Sequence, residues 1–335
     1  MWNWKEQSFA RFIEDEPGSS DIIYFDETCG YEQIVKAVSL QRPDRMILWG
    51  MMEPEGVAEL AQREGIDLLR VEDGFLRSAG LTGTRPAPMS LCLDKRGIYF
   101  NPNVPSDLEH LLLTYDFDSD SALVDRAKAG ITRLRKLGLS KYNHAKPVDL
   151  EAVYGPKDRP RVLVLGQVEE DQSIQYGCDG AFDNNALVRA AAEAHPDAQI
   201  IYKPHPDVLA GDRDRLSNPD DVRDIALVVD TPMTIDQAFE TIDHVHTATS
   251  LAGFEALLRG LKVTTHGRPF YAGWGVTEDR LPPLNPRREL TIEQVFAAAY
   301  LLYPIYCHPE TGARLRFEEA LDVLAAERDR MLAQG

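Results

Sequence analysis

Arg161-Val-Leu-Val-Leu-Gly-Gln-Val-Glu-Glu-Asp171 is the stretch on which the fold turns. Its first five residues read as a strong strand. The glycine, glutamine and three acids that follow read as the loop leaving that strand's carboxyl end. Downstream the alternation continues. Asn184–His195 reads as a helix, Gln199–Tyr202 and Ile225–Val229 as strands, and Met233–Thr241 as a helix. His244–His246 and Lys262–Thr265 read as strands around a helix at Leu251–Arg259, and Thr291–Tyr303 and Phe317–Leu332 as closing helices. Upstream the same pattern has already run once. Strands are expected at Ile22–Phe25, Arg45–Trp49 and Asp67–Val71, with helices at Tyr31–Leu40 and Pro54–Glu64 between them. Ser90–Asp94 and Gly97–Tyr99 suit a hairpin or edge, and Leu108–Tyr115 and Ser121–Leu137 suit helices. A segment rich in Pro, Lys, Asp and Gly separates the two runs. The expected fold is α/β, with two Rossmann-like lobes over 1–145 and 161–335, a linker over 146–160, and a central cleft. The terminal helix is free to pack back on the first lobe. Ligands of such sheets lie outside the carboxyl ends of strands, so the loops there are the places to search.

Length and composition fit this division. A chain of 335 residues with 44% hydrophobic content supports two cores better than one small one. The net charge of −18 disfavours nonspecific binding to nucleic acid or an anionic membrane surface. Basic residues do gather over Arg126–Lys146, read here as the solvated face of a helix in preference to a contact with phosphate head groups. Cys29, Cys92, Cys178 and Cys307 are scattered, which suits a reducing compartment and argues against zinc or a disulfide framework. The start lacks a signal-peptide core and no segment has the apolar length of a span, so a cytoplasmic protein, at most peripheral to the inner face of the membrane, is expected. There is no glycine fingerprint after the first strand and no P-loop. Asp212-Arg213-Asp214 has metal–nucleotide spacing but lies in a polar stretch that reads as a solvated loop, and the eight histidines show no metal-ligand spacing. No metal is expected.

Five loops carry candidate chemistry. After Arg161–Leu165 come Gln167 and the acids Glu169, Glu170 and Asp171. After Gln199–Tyr202 comes Lys203-Pro-His-Pro-Asp207, where two prolines fix the backbone around His205. Lys203 suits a phosphate, and His205 suits a phosphate or a proton transfer. After His244–His246 come Thr249 and Ser250 at a helix N-terminus, whose backbone N–H groups suit an anion. Gly253 there permits close approach, and Glu255, one turn in, suits a ribose diol. An ordinary capped helix explains Ser250 and Glu255 equally. After Asp67–Val71 come Glu72, Asp73 and Arg77, which suit a base and a two-pronged anion contact, or a turn held by an acid–arginine pair. Finally, Gly267-Arg-Pro-Phe-Tyr-Ala-Gly-Trp-Gly275 suits stacking on a base or sugar, or plain loop packing.

In order along the chain, several stretches resemble the capsule-polysaccharide β-Kdo glycosyltransferases of the KpsC type. They are Leu69-Arg-Val-Glu-Asp-Gly-Phe-Leu-Arg-Ser78, Leu139-Ser-Lys-Tyr-Asn143, Gly166-Gln-Val-Glu-Glu-Asp171 and Tyr202-Lys-Pro-His-Pro-Asp207. Val245-His-Thr-Ala-Thr-Ser-Leu-Ala-Gly-Phe-Glu-Ala-Leu257, Pro269-Phe-Tyr-Ala-Gly-Trp-Gly275 and Tyr303-Pro-Ile-Tyr-Cys-His-Pro-Glu-Thr-Gly312 complete the set. The resemblance implies a GT-B-like pair of lobes, CMP-Kdo as donor without a required cofactor, and retention at the anomeric carbon. It implies Asp171 as the catalytic carboxylate of a double displacement through an aspartyl adduct. On that model Glu72 is placed as the base, and His205 meets the donor phosphate or leaving group. Gln167, Lys203, Thr249, Ser250 and Glu255 hold the nucleotide, and Arg77 takes an acceptor anion or the sugar carboxylate. The implied partners are a lipid-linked Kdo oligosaccharide acceptor and the capsule assembly and export machinery at the inner membrane; nucleic acid is not among them. Family proteins carry two such modules in one chain, whereas one is seen here. Two rival readings remain at this point: a teichoic-acid-type polyol-phosphate transferase, and a non-catalytic glycan-binding or export scaffold.

Overall fold

The structure, a computed structural model, describes residues 9–13, 21–26, 28–79, 87–140, 148–209 and 216–334. Eleven strands are found among them. In chain order they are β1 (Arg45–Trp49), β2 (Asp67–Asp73), β3 (Ser90–Asp94), β4 (Arg161–Leu165), β5 (Gln199–Lys203) and β6 (Leu227–Val228). Then come β7 (His244–Thr247), β8 (Lys262–Thr265), β9 (Glu278–Asp279), β10 (Pro304–Cys307) and β11 (Arg314–Leu315).

The second lobe holds a six-stranded, wholly parallel sheet in the order β6-β5-β4-β7-β8-β9. This is the doubly wound order, and its direction of winding reverses between β4 and β7. The period of two in β4 explains why it is central. Val162 and Val164 meet Leu187, Val188 and Ala191 of the helix Asn184–Ala194 on one face. Leu163 and Leu165 join Val245, Phe254 and Val263 on the other.

The first sheet is mixed, in the order β1-β2-β3-β10-β11, and only β1 and β2 run parallel. Residues 22–25 form no strand, and neither do residues 97–99, where a turn begins at Tyr99. The helix expected from Pro54 starts at Val57, after Gly56 in the left-handed region. Within the expected linker, Leu150–Tyr154 is a helix capped by Asp149, and buried Tyr154 donates to the Ala238 carbonyl at 3.2 Å. The helix expected over Thr291–Tyr303 changes at Ala297 to a wider π-turn.

The larger departure concerns the chain's return. β10 pairs antiparallel with β3, so the first sheet is finished by residues that the sequence division assigned to the second lobe. The helix Phe317–Gln334 follows it there. Arg126 grips Glu318 with two bonds of 2.7 and 2.9 Å, and Arg133 pairs with Asp322. The described part of the basic cluster is therefore partly spent on the terminal helix, while Lys141 and Lys146 lie outside the described residues. One apolar core runs through both lobes, from Phe75, Leu108 and Leu134 to Phe254, Trp274 and Leu324. No helix among the described residues is long and apolar enough to cross a membrane.

Candidate active site

Crevices form where winding reverses, because the loops from the two flanking strands turn to opposite sides. Here those loops follow β4 and β7, and Gln167 ties them together. Its Oε1 accepts from the backbone N–H of Thr249 at 2.8 Å and of Ser250 at 3.1 Å. Its Nε2 donates to Thr249 Oγ1 at 3.0 Å. Gln167 is itself buried and held from behind by Asn184, through bonds of 3.0 and 2.9 Å to its backbone. These contacts correct the sequence reading. Gln167 and Thr249 close the crevice floor, and the two N–H groups expected for a phosphate are taken by a side-chain amide. The Ser250 hydroxyl accepts from Ala252 N as an ordinary N-cap.

Asp171 emerges on this floor. It is exposed, and its Oδ1 accepts from Ser173 N at 2.8 Å, capping the helix Gln172–Gly177. The next residue crosses to the other lobe. A methyl built on Gly50, which follows β1, would lie 3.0 Å from Gln172 Oε1 and 3.2 Å from Glu72 Oε2. Glu72 and Asp73 belong to β2 itself, because β3 extends the pairing to them through Cys92 and Leu91. Asn103 Nδ2 donates to the Tyr176 carbonyl at 3.2 Å and adds a second crossing. Tyr99, from the turn after β3, donates to the Asp73 carbonyl at 3.1 Å. Burial and the charges of Glu72, Asp73 and Asp171 push its hydroxyl well above the usual tyrosine range. Three carboxylates from two lobes thus bear on one point.

Gly50 sits at φ +53° between these groups. Gly50→Val is expected to cost about 1–2 kcal/mol from the left-handed backbone alone. It would also push Gln172 and Glu72 apart, so any activity of this crevice should fall more than the melting midpoint does. Kinetics and thermal melts on one preparation measure both.

Lys203 closes β5 and is buried, 7% exposed. Burial pulls its ammonium from the usual lysine range down to about 8. No carboxylate among the described residues offsets that cost, so the site favours an incoming anion. His205 is half-buried, and its Nδ1 accepts from Asp207 N at 3.2 Å. The imidazole is thereby aimed, with Nε2 as the proton-bearing atom.

Arg77 is buried and paired with Asp73, Nε to Oδ2 at 2.8 Å, with Nη1 donating to Ser78 Oγ at 3.2 Å. Arg77 Nη2 and Asp73 Oδ1 are both buried without a hydrogen-bond partner among the described residues. The turn-stabilising pair and an unfilled anion contact coexist in one side chain. Glu255 is buried, with its charge felt by Tyr271 and Tyr300. The close approach expected at Gly253 is made by the protein itself: an added Cβ would lie 2.2 Å from Tyr271 Oη, which donates to the Ser250 carbonyl at 2.6 Å. The Phe270–Trp274 loop is likewise core. Tyr271 and Trp274 are fully buried, and Phe270 lies 4.8 Å from Phe75 of the first lobe. Stacking on a ligand is not available to them.

Sequence reasoning missed Tyr99, Gln172 and Asn184. Gln172 adjoins a residue already singled out, and Asn184 is the first residue of a recognised helix. Tyr99 had no such signal, because the carboxylates that act on it come from two segments distant in the sequence, Glu72 with Asp73 and Asp171.

Residues 44–306 match the family model described as "Capsule polysaccharide biosynthesis protein". The lipopolysaccharide-processing protein LpsZ of Rhizobium meliloti is 41% identical over 99% of this chain and 75% of its own length. The capsule polysaccharide modification protein LipA of Neisseria meningitidis is 39% identical over 89% of this chain, which spans 41% of LipA. Two solved structures of Thermosulfurimonas dismutans KpsC, each at 30% identity, superpose over nearly the whole chain. The beta Kdo 2,4 transferase does so with a TM-score of 0.80, covering 96% of this chain and 94% of its own. The beta Kdo 2,7 transferase reaches 0.74, covering 97% of both.

Proposed function

The chain belongs to the capsule polysaccharide biosynthesis protein family, and from that membership we propose that it is a retaining β-Kdo glycosyltransferase using CMP-Kdo. The observation that carries this reading is the placement of Asp171. It is an exposed carboxylate at the reversal of winding, next in sequence to Gln172, whose Oε1 lies beside Gly50 with Glu72 of the other lobe, and with the buried Lys203 cation at the neighbouring strand end. The names of the two KpsC structures supply the sugar.

Asp171 attacks the anomeric carbon as the bond to the CMP phosphate breaks, and CMP leaves with the electron pair. Lys203 and His205 meet the phosphate and take up its growing charge. Glu72 then removes the proton from an acceptor hydroxyl, whose oxygen displaces Asp171 and frees its carboxylate. Two inversions give net retention. Arg77 Nη2 is the donor that the sugar carboxylate or an acceptor anion would satisfy. The acceptor on this reading is a lipid-linked Kdo glycan, brought to a cytoplasmic enzyme at the inner face of the membrane by the capsule machinery.

The test is intact-protein mass after incubation with CMP-Kdo made in the same tube, with acceptor omitted. A gain of one Kdo, absent in Asp171→Asn, is expected. Unaltered mass together with no CMP binding would favour the scaffold reading.

Lys203 gives the reading a pH signature. Its free-state value of about 8 rises when a phosphate binds, so binding takes up a proton above that pH. CMP affinity should therefore fall as pH rises from about 8 towards 10, by up to about tenfold per unit. Calorimetry across that range measures it, and Lys203→Met should flatten the profile.

A further inference from the structure

Away from the cleft, four histidines meet on the second sheet. His244 and His246 lie two apart on β7, so they share one face. It is the face covered by the helix Asn184–Ala194, whose C-cap is His195. His266 follows β8. The His195 and His246 Nε2 atoms are 3.0 Å apart, and His246 Nδ1 is 3.1 Å from His266 Nε2. One ligating nitrogen from each of His195, His244 and His246 falls within 4.8 Å of the other two.

The hydrogen bonds behind these rings fix their tautomers. Thr264 Oγ1 donates to Glu278 Oε2 at 3.3 Å, so it accepts from His244 Nε2 at 2.8 Å. That leaves the His244 Nδ1 lone pair unprotonated. His246 can give its Nδ1 proton to His266, which leaves Nε2 unprotonated and facing His195. His244 and His246 thus each have a partner on the nitrogen turned away from the cluster, as imidazoles that hold metals do.

We propose that His195, His244 and His246 bind a divalent transition metal, zinc foremost, with water in the remaining position and His266 orienting His246. Zinc–nitrogen bonds of about 2.0–2.1 Å set tetrahedral nitrogens roughly 3.4 Å apart. The half-buried His195 ring, at a helix end, has room to close the wider gaps. The negative end of that helix dipole favours a cation there. Glu278 adds to the attraction, while Arg280 and Lys262 oppose it. All-imidazole ligation selects zinc, nickel, copper or cobalt over magnesium and calcium. The site would pin the helix Asn184–Ala194 to β7, the strand that leads into the crevice floor. It stands independently of the transferase reading.

The test uses the full chain, stripped with chelator and titrated with cobalt(II) as a visible probe, then with zinc as competitor. One saturable equivalent, displaced by zinc, is expected, with a melting midpoint that rises with free zinc. His195→Gln alters a half-buried side chain at a helix end and should abolish both effects while keeping the native circular dichroism. His266→Phe should weaken binding by about 10–100-fold. No saturable cobalt signal in the native chain would overturn the proposal, and so would equal affinity in His195→Gln.

Discussion

Asp171→Asn should lose transfer by roughly 10³-fold or more, with CMP affinity within a fewfold of the native enzyme. Asparagine is the informative replacement because Asp171 also caps the helix Gln172–Gly177 through Ser173 N. Alanine would remove the cap and cost about 1 kcal/mol, whereas asparagine caps as well as aspartate. The amide cannot form the glycosyl ester. An activity loss in Asp171→Asn therefore reports on the carboxylate and not on the helix. Initial rates with a Kdo acceptor and calorimetric CMP titration measure the two halves. Retained transfer would remove Asp171 from the nucleophile role.

Arg77→Ala should cost about 3–5 kcal/mol in stability, the usual cost of leaving a partly buried charge without its counterion. Asp73 is that charge, with a side chain 13% exposed, and its Oδ1 already lacks a partner among the described residues. The companion variant separates folding from function. Asp73→Asn with Arg77→Met removes both charges and should recover most of the stability, yet leave acceptor or donor use impaired. Denaturant melts of the native protein, both singles and the double form the cycle. A coupling near zero would mean that the pair stabilises nothing.

These two sites also mark how far the sequence could be read. The strand ends carrying Glu72, Asp171, Lys203 and Ser250 were legible because apolar runs stop abruptly at glycine, proline or charge. The helix Ser121–Leu137 was legible from its apolar spacing, and Asp120 and Gly138 do cap it. What Gln167 does was not legible. A glutamine after a strand suits a ligand or a brace equally, and only the position of Thr249, 82 residues away, decides. The aromatic loop at Phe270–Trp274 was left open between stacking and packing for the same reason: its partner, Phe75, lies in the other lobe. Strands of two to four residues such as β10 and β11 are too short to show a period, and their neighbours set them. The histidine cluster was not legible: His244 and His246 were read only as a strand, and no local pattern joins His195 and His266 to them.

The β3–β10 pairing has a consequence for how the molecule is made. Pro304 lies opposite Cys92, so a ribosome must build two hundred further residues before β3 gains its second neighbour. Synthesis runs N-terminal first, at about 5–20 residues per second, so β3 waits at least ten seconds or so with an unpaired edge. The parallel sheet, whose strands all lie between Arg161 and Asp279, has every neighbour it needs before β10 emerges. The later-made lobe should therefore acquire protease resistance on stalled nascent chains before the earlier-made one.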